Sequence, residues 1–271
     1  MDNNIIENNF STAFAIAWNE NQGDYSDNIA KKTLAFAKNQ GLKIHTVLDI
    51  CCGSANFLRA MQENGMKCTG TEILDSYIEY NRAKFKDINF VKTETISDID
   101  SLGSFDLISC NHDMINILPT LEDWGTLFKK VYKHLNNGGI FIFDFYTKRK
   151  LQYWNEVTYD ENEKLDYIRN VVSDGQTKTT ISNIYYININ PNQAEELDDN
   201  FEKRYSLNNY NKKYKRTEDI SVEYYFDNND ILNEIKKAGY RYLITVDANF
   251  APVSSISDMN RMHIIAIKRE K

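Results

Sequence analysis

The sequence lacks the features that mark secreted, membrane-spanning and disulfide-stabilised proteins. Its four cysteines among 271 residues do not form the spaced pattern of a disulfide framework. No apolar run approaches the ~20 residues that cross a bilayer, and residues 1–10 lack the basic and then apolar pattern of a secretion signal. We therefore expect a soluble, cytoplasmic protein without a membrane partner.

Positive charge is also scarce. The chain has 32 Lys and Arg residues against 39 Asp and Glu residues, which gives a net charge of −7 and a pI near 5.3. Because a protein that binds nucleic acid normally presents a basic face to the phosphates, this balance argues against a nucleic-acid partner. A metal site is not expected either, since Cys51 and Cys52 have no C-x-x-C or histidine spacing around them.

The stretch that is most informative is Thr46–Leu58, TVLDICCGSANFL. A β-branched apolar run ends in an acid, small residues follow, and the sequence then becomes compatible with a helix, so it predicts a buried strand, a tight turn and a helix start. Such a turn directs backbone N–H groups and the positive end of a helix dipole at a ligand. The stretch therefore predicts a small-molecule site.

The charge of this turn restricts the ligand. The dinucleotide fingerprint G-x-G-x-x-G would need glycine at Cys51, Gly53 and Asn56, and only Gly53 qualifies. A carboxylate at Asp49 would repel a pyrophosphate by roughly 4 kcal/mol at an effective dielectric near 20. The same carboxylate would attract S-adenosyl-L-methionine, which carries a sulfonium and an ammonium group and no phosphate.

At these residues the chain resembles class I S-adenosylmethionine-dependent methyltransferases, whose first motif is a hydrophobic pair, an acid and then G-x-G-x-G. Cys51, Gly53 and Ala55 match the three glycines, and Cys52 to Ser54 is similar to the C-G-T variant of small-molecule methyltransferases. This branch includes amino-acid and amino-sugar N-methyltransferases. The resemblance implies an α/β fold with a doubly wound, mostly parallel seven-stranded sheet whose last strand is antiparallel, and an antiparallel β cap.

The resemblance also implies which residues bind S-adenosylmethionine. They include Asp49 and the loop positions Cys51, Gly53 and Ala55, and Glu72, which lies about 20 residues beyond the turn, where an acid accepts both ribose hydroxyls. The remaining expected contacts are made by Tyr25 of a D-Y pair, by Glu94 and Thr95 at the adenine, with Asp98 as an alternative to Glu94, and by Asn111.

The loop after the strand FDLISC is expected beside the acceptor. It brings Asn111, His112, Asp113 and Asn116 to the reaction centre, with Asn116 contacting the substrate. His112 is the candidate catalytic residue, as a general base for O- or S-methylation, although a lone histidine after a strand is more often a structural hydrogen-bonding residue. Methylation of an amine nitrogen needs no strong base, because a neutral amine is already a nucleophile.

The chain divides into four predicted parts. Residues 1–40 form an N-terminal helical lid, which we expect to break at Gly23 into two helices, and residues 41–150 form the cofactor-binding core. Residues 151–226 have the Tyr-, Ile- and Thr-rich runs of antiparallel strands and form the cap insertion. Residues 227–271 complete the core.

The charges of the cap suggest the acceptor. Glu218, Asp219 and Glu223 favour a cationic amine, whereas Lys212, Lys213, Lys215 and Arg216 would bind a carboxylate, and a zwitterion would satisfy both sets. These charges could also be solvated strand faces. We therefore expect methyl transfer to a small molecule at an amine nitrogen, with Arg216 as a substrate contact. The alternative is a cofactor-binding sensor or non-catalytic subunit; the oligomeric state is not indicated.

Overall fold

The computed structural model describes residues 10–161, 165–189, 213–247, 249–253 and 259–269. Seven strands form one sheet, in the spatial order β10 (Tyr242–Val246), β11 (Arg261–Ile267), β5 (Leu135–Tyr146), β4 (Phe105–Cys110), β1 (Thr46–Ile50), β2 (Lys67–Glu72) and β3 (Asn89–Lys92). Only β11 runs antiparallel to its neighbours, β5 and β10. The predicted doubly wound sheet with an antiparallel last strand is confirmed.

Helices cover both faces of this sheet. They are α1 (Phe10–Asn39), α2 (Asn56–Glu63), α3 (Asp75–Lys84), α4 (Leu121–His134), the short α5 (Lys148–Leu151) and α6 (Asn228–Lys237). On one face Trp124 and Phe128 of α4 pack with the phenylalanines of β5, and on the other Ile29 of α1 packs with Leu58 of α2. Burial of these apolar side chains on both faces supplies the main stabilisation of the core.

The N-terminal helix is continuous, which corrects the prediction of two helices that meet at Gly23. Residues Phe10–Asn39 form a single helix through this glycine. A glycine inside a helix costs only about 1 kcal/mol relative to alanine. Burial in the segment that follows offsets this cost, because Ile29, Thr33 and Ala37 recur at helical spacing and are buried against the core. No helix in the described part of the chain, α1 included, is long and apolar enough to cross a membrane.

A second, antiparallel sheet forms the predicted cap. Its strands follow one another in space as β6 (Glu156–Glu161), β7 (Leu165–Ser173), β8 (Lys178–Ile189) and β9 (Lys213–Tyr224). Because side chains alternate along each strand, one face of this cap sheet points toward the core and the other points away. The register pairs Arg169 with Asn183 and Asn183 with Asp219, so these three side chains share one face.

Candidate active site

A cavity of about 440 Å³ lies at the carboxyl ends of β1, β2 and β4, under the cap sheet. The strand order reverses between β1 and β4, and this switch point is where open α/β sheets bind ligands. We call the part of the cavity wall that follows β1 and β2, together with Asn111 and His112 after β4, the sheet half. The part on β7, β8 and β9, together with Asp113, is the cap half. The two halves have different chemistry.

The loop after β1 forms the floor of the sheet half. Cys51, Gly53 and Ala55 all have left-handed backbone conformations, with φ angles of 55°, 50° and 60°. These are the three positions that matched the glycines of the predicted motif. The structure thus explains the motif physically, since only glycine adopts this conformation without strain. In this chain Cys51 and Ala55 adopt it with a Cβ atom present.

We expect the strain at Cys51 to be measurable by comparing two variants. Cys51→Gly and Cys51→Ala both remove the thiol, but only alanine keeps the Cβ that a left-handed residue tolerates poorly, at a cost of about 1 kcal/mol or more. Cys51→Gly should therefore be the more stable of the two by about 1 kcal/mol in denaturant unfolding. Cys68 lies in β2 and has no positive φ, so there the alanine variant should be more stable than the glycine variant. If the glycine variant were the more stable one at both sites, the interpretation of strain at Cys51 would be wrong.

Glu72 fastens this loop to the end of β2. Its Oε2 accepts a hydrogen bond from the N–H of Gly53 at 3.0 Å, and its Oε1 accepts from the N–H groups of Ile73 and Leu74 at 2.8 and 3.1 Å. On the other side, the Nδ2 of Asn81 donates to the carbonyl of Gly53 at 2.6 Å. Burial raises the pKa of Glu72 although the three N–H groups oppose the shift. The predicted acid lies in the cavity wall.

Asp49 lies at the end of β1 and is only 4% exposed. It accepts a hydrogen bond from the hydroxyl of Ser109 at 2.6 Å. Burial raises its pKa from 3.8 to about 7, and the negative charge of Glu72 adds to the shift while the Ser109 hydrogen bond opposes it. A carboxyl group in this state gains most from a cationic ligand, which stabilises its ionised form.

Asn111 is the third polar residue that the sequence placed in this half. It lines the cavity and is 5% exposed, and neither its Oδ1 nor its Nδ2 has a hydrogen-bond partner among the described residues. Because buried amides are normally satisfied, a donor and an acceptor left open here are suited to a polar ligand. Ile73 and Leu74 also line this half and were missed, since apolar residues after a strand carry no distinctive sequence signal.

The adenine contacts predicted after β3 are not part of the cavity wall. Glu94 and Thr95 are exposed and do not line the cavity. The N–H of Thr95 already donates to the carboxylate of Asp98 at 3.0 Å, so it could meet an adenine nitrogen only by giving up this bond. Asp98, the predicted alternative to Glu94 at the adenine, is the acceptor of this hydrogen bond. Residues 94 and 95 therefore stay predictions without support from the cavity geometry.

Tyr25 and His112 lie at the junction of α1 and the loop after β4. His112 lines the cavity, and its Nε2 is 2.9 Å from the hydroxyl of Ser26. Tyr25 lies behind it, with ring centroids 4.9 Å apart and its hydroxyl 3.3 Å from Nε2 of His263. Burial lowers the pKa of His112 to about 4. At neutral pH this imidazole is uncharged and a weak base, which argues against the predicted general-base role.

Two residues predicted to contact the substrate, Asn116 and Arg216, do not line the cavity. Asn116 is fully buried and uses its amide to hold backbone, because it donates to the carbonyls of Tyr146 and Tyr224 and accepts from the N–H of Tyr146. It therefore fastens the end of β9 to β5. Arg216 is exposed and pairs with Glu218 at 2.8 Å on the face of β9 that points away from the cavity.

The cap half is rich in acids and tyrosines. Asp219 and Glu223 of β9 line it, as does Asp113 of the loop after β4, and the stacked rings of Tyr167 and Tyr185 lie 5.8 Å apart. Its one positive side chain among the described lining residues is Arg169 of β7, which the sequence reading had missed. The side chains of the other predicted cap cations, Lys212, Lys213 and Lys215, lie outside the described residues.

A buried ion cluster supports the loop that carries Asp113. Arg261 of β11 donates through Nε to Asp144 of β5 and through Nη2 to Asp113. Its guanidinium lies against the rings of Tyr25 and Tyr146, 5.2 and 4.8 Å from their centroids. Among the described residues no group of three or more His, Cys, Asp and Glu side chains is arranged to hold a metal ion.

A family model described as a methyltransferase domain matches residues 18–173, more than half of the chain. The chain belongs to this methyltransferase family. The match begins within α1 and continues through the strained loop after β1 to the first cap strands, so it includes the sheet half of the cavity. The prediction of a methyltransferase is thereby confirmed at the level of the family.

Curated and solved relatives agree with this assignment. The methyltransferase is 23% identical over 163 residues to the putative methyltransferase YqeM of Bacillus subtilis. The aligned segment covers 58% of this chain and 66% of YqeM. It superimposes on an S-adenosylmethionine-dependent methyltransferase from Clostridium acetobutylicum with a TM-score of 0.75 at 19% identity, over 97% of this chain and 100% of the other. Its superposition on the sugar N-methyltransferase KedS8 from Streptoalloteichus has a TM-score of 0.65 at 14% identity, over 92% of this chain and 87% of KedS8.

The sheet half of the methyltransferase fits S-adenosylmethionine. A buried acid suits its positive charge, a second acid at the end of β2 suits a ribose, and an open buried amide suits the polar methionine end. A pyrophosphate would instead lie against two carboxylates, Asp49 and Glu72, with no cation of the described sheet half to balance it. The geometry therefore favours the sulfonium cofactor over a dinucleotide.

Proposed function

We propose that this methyltransferase transfers the methyl group of S-adenosylmethionine to the amine nitrogen of a small-molecule acceptor. The observation that carries the proposal is the composition of the cap half, where Asp113, Asp219 and Glu223 face the same cavity as the sheet half. A protonated amine is the acceptor group that such a wall attracts. Cavity size and burial suit a small molecule rather than a macromolecule.

Three groups hold the cofactor in this proposal. Asp49 would attract its positive charge, Glu72 would accept hydrogen bonds from the ribose hydroxyls, and Asn111 would use its open amide at the methionine end. Ile73 and Leu74 provide apolar surface for the adenine. When it is bound, the cofactor supplies an electrophilic methyl group on a sulfonium, and the remaining task of the protein is to position the acceptor nitrogen and exclude water.

The aromatic rings and Arg169 refine the acceptor class. Tyr167 and Tyr185 line the cavity, and the face of a tyrosine ring stabilises an ammonium group. Arg169, whose Nε has no partner among the described residues, is available for a carboxylate or another anionic group of the acceptor. A zwitterionic amine would use both. The likeness to KedS8 is consistent with methylation of nitrogen.

Methylation of a hydroxyl is less well supported. An alcohol or phenol must lose its proton to become a good nucleophile, and the candidate base, His112, has a pKa lowered to about 4 by burial. A neutral amine has a free lone pair and needs no such base. In this proposal His112 positions α1 through Ser26, so that α1 acts as the wall of the cofactor site.

A methyl-transfer screen tests the proposed function. The wild-type protein is supplied with S-adenosylmethionine and with ethanolamine, glycine, 1,4-diaminobutane, glucosamine, phenol or a simple thiol, and the demethylated cofactor is measured by mass spectrometry. We expect turnover with amines only. In Asp219→Asn the KM for the amine should rise about tenfold, because one charge-assisted contact of about 1.5 kcal/mol is lost.

Two controls accompany the screen. Glu218→Gln removes a carboxylate from the same strand on the face that points away from the cavity, and its kinetics should equal those of the wild type. Calorimetry with S-adenosylmethionine and NAD should show binding of the first alone. Turnover confined to phenol or thiol would refute N-methylation, whereas cofactor binding with no turnover on any acceptor would favour the sensor.

A further inference from the structure

Arg169 is a cation of the cavity wall that forms no ion pair with any described acid. It lies on β7, its side chain is half-buried, and its Nε has no hydrogen-bond partner among the described residues. Asp113, Asp219 and Glu223 line the same cavity, yet none of the ion pairs among the described residues includes Arg169. Because charges that are withdrawn from water are normally paired, a guanidinium left open toward a cavity indicates a ligand with a negative group.

The register of the cap sheet explains why Arg169 and Asp219 stay apart. They lie on one row across the face that points toward the core, and Asn183 of β8 stands between them. With neighbouring strands about 4.8 Å apart, the α-carbons of the arginine and the aspartate are separated by about 10 Å. The Nδ2 of Asn183 donates toward Oδ2 of Asp219 at 3.5 Å. The acid is therefore held by an amide and not by the guanidinium.

Trp154, which follows α5, holds the guanidinium instead. The indole is only 3% exposed, and the Cζ of Arg169 lies 5.4 Å from its ring centroid, within the range of a cation–π contact. The indole is itself fixed, because its Nε1 donates to Oε1 of Glu156 at 2.7 Å and its ring belongs to an apolar cluster with Val171 and Ile181. A rigid aromatic surface thus orients Arg169 without neutralising its charge.

A second cation lies against the same indole. The Nζ of Lys150 is 4.4 Å from the ring centroid of Trp154, and Lys150 also takes part in none of the ion pairs among the described residues. Even with the exposed carboxylate of Glu156 counted, this corner keeps a positive charge. The acids of β9 are two strands away from Arg169. The cap half is therefore polarised, with its positive end at β7 and its negative end at β9.

A ligand that matches this wall has a negative and a positive group on one small molecule. A carboxylate suits Arg169, because it has a single charge and its two oxygens fit the planar fork of a guanidinium. A phosphate monoester would bring nearly two negative charges into a wall that already has three acids. The amine of the same molecule would lie toward those acids.

We propose that Trp154 is a positioning residue that holds the guanidinium of Arg169 away from the acids, and that Arg169 binds the carboxylate of an amino carboxylate acceptor. This inference rests on the proposed function and narrows its substrate class from amines in general to amines that also have a carboxylate. Without the indole, Arg169 would pair with an acid of the wall. The site would then lose its contact for the carboxylate and one of its contacts for the amine together.

Paired acceptors test the role of Arg169. Glycine, β-alanine and 4-aminobutanoate are each compared with the amine that lacks their carboxylate, which is methylamine, ethylamine or propylamine. We expect the best amino carboxylate to have a higher kcat/KM than its partner. Arg169→Met should lower this kcat/KM about 30-fold, mainly through KM, because charge-assisted hydrogen bonds are lost, and should not lower that of the alkylamine. Arg216→Met, on the face of β9 that points away from the cavity, should equal the wild type.

Three variants test the role of Trp154. In Trp154→Leu the KM should rise about tenfold for both members of a pair with kcat unchanged, because the released guanidinium occupies an acid. Trp154→Phe keeps an aromatic surface and should stay within about threefold of the wild type. The double variant Trp154→Leu/Arg169→Met should regain the wild-type KM for the alkylamine, since no guanidinium is left to occupy the acid. A KM that stays high in the double variant would overturn the positioning role.

A binding measurement examines the same contact without turnover. In protein labelled with ¹⁵N at arginine and saturated with the demethylated cofactor, the Nε–H resonance that is absent from Arg169→Met identifies Arg169. It should shift when the amino carboxylates are added and stay in place when the alkylamines are added, because only a carboxylate accepts a hydrogen bond from the guanidinium. A resonance that shifts with none of the three amino carboxylates would overturn the inference.

The outcomes separate this inference from the proposed function. If the wild type methylates both members of each pair equally well and Arg169→Met does the same, the carboxylate contact is refuted and N-methylation stands. If Arg169→Met instead weakens the binding of S-adenosylmethionine in calorimetry, Arg169 holds the cofactor and the inference is wrong. If the wild type methylates only phenol or thiol, the proposed function fails and the inference fails with it.

Discussion

Replacing Asp49 with asparagine is expected to abolish most of the cofactor affinity while making the ligand-free protein more stable at alkaline pH. Truncating one partner of a buried charge pair typically costs about 2–5 kcal/mol of binding free energy, so the dissociation constant for S-adenosylmethionine should rise at least 30-fold. The hydroxyl of Ser109 can still donate to the asparagine oxygen, so the local structure should persist.

The gain in stability follows from the pKa of Asp49. Its pKa in the folded protein, about 7, exceeds the ordinary value of 3.8. The folded state therefore holds this proton more tightly than the unfolded state, and the wild type loses stability as pH rises from about 4 through 7, by up to about 4 kcal/mol. An asparagine does not titrate. At pH 8 we expect Asp49→Asn to be more stable by about 2 kcal/mol, and at pH 5 by much less.

Calorimetry and thermal unfolding at pH 5 and pH 8 check both parts of this prediction. Binding to the wild type near pH 7 should also release part of a proton, seen as a dependence of the binding heat on the buffer, and this release should be missing in Asp49→Asn. Asp87→Asn, at an exposed carboxylate, is the control. A variant that binds the cofactor normally, or one that is less stable than the wild type at pH 8, would contradict the assignment.

Replacing Arg261 with methionine should destabilise the protein by about 3–5 kcal/mol at neutral pH. The change leaves Asp144 and Asp113 buried without the guanidinium that contacts both of them. For a chain of this size, the melting temperature should fall by about 10 °C or more. Because this arginine holds the pKa of Asp144 below its usual range, protonation of the acid should restore part of the loss at lower pH.

A matched substitution distinguishes the buried cluster from an ordinary surface pair. Arg59 also contacts two acids, Asp27 and Glu63, but these acids are about half exposed. Arg59→Met should therefore cost less than about 1 kcal/mol. Equal losses in the two variants, measured by denaturant unfolding, would show that Arg261 contributes no more than a surface ion pair.

The sheet and its ligand edge could be predicted because their signals are local. Buried strands such as FDLISC are short apolar runs, and Asp49 and Glu72 mark strand ends by a change from apolar to acidic. The break at Gly23 was predicted from the same kind of signal and was wrong, since the packing of the following helical turns outweighs one unfavourable residue.

The cap side chains could not be assigned from the sequence because strand parity is not a local property. Glu218 and Asp219 are adjacent, yet one faces solvent and the other the cavity, and a shift of one residue in register would exchange them. The same argument applies to Arg216, and to Arg169, which was overlooked on β7.

The division of the cavity has an evolutionary consequence. The loop after β1 is made of backbone conformations and close hydrogen bonds, so most substitutions there would affect folding and cofactor binding together. The cap half is made of side chains on strands whose backbone pairing is independent of them. Mutations at alternate positions of β7, β8 and β9 can therefore change the acceptor while the fold and the chemistry are inherited intact.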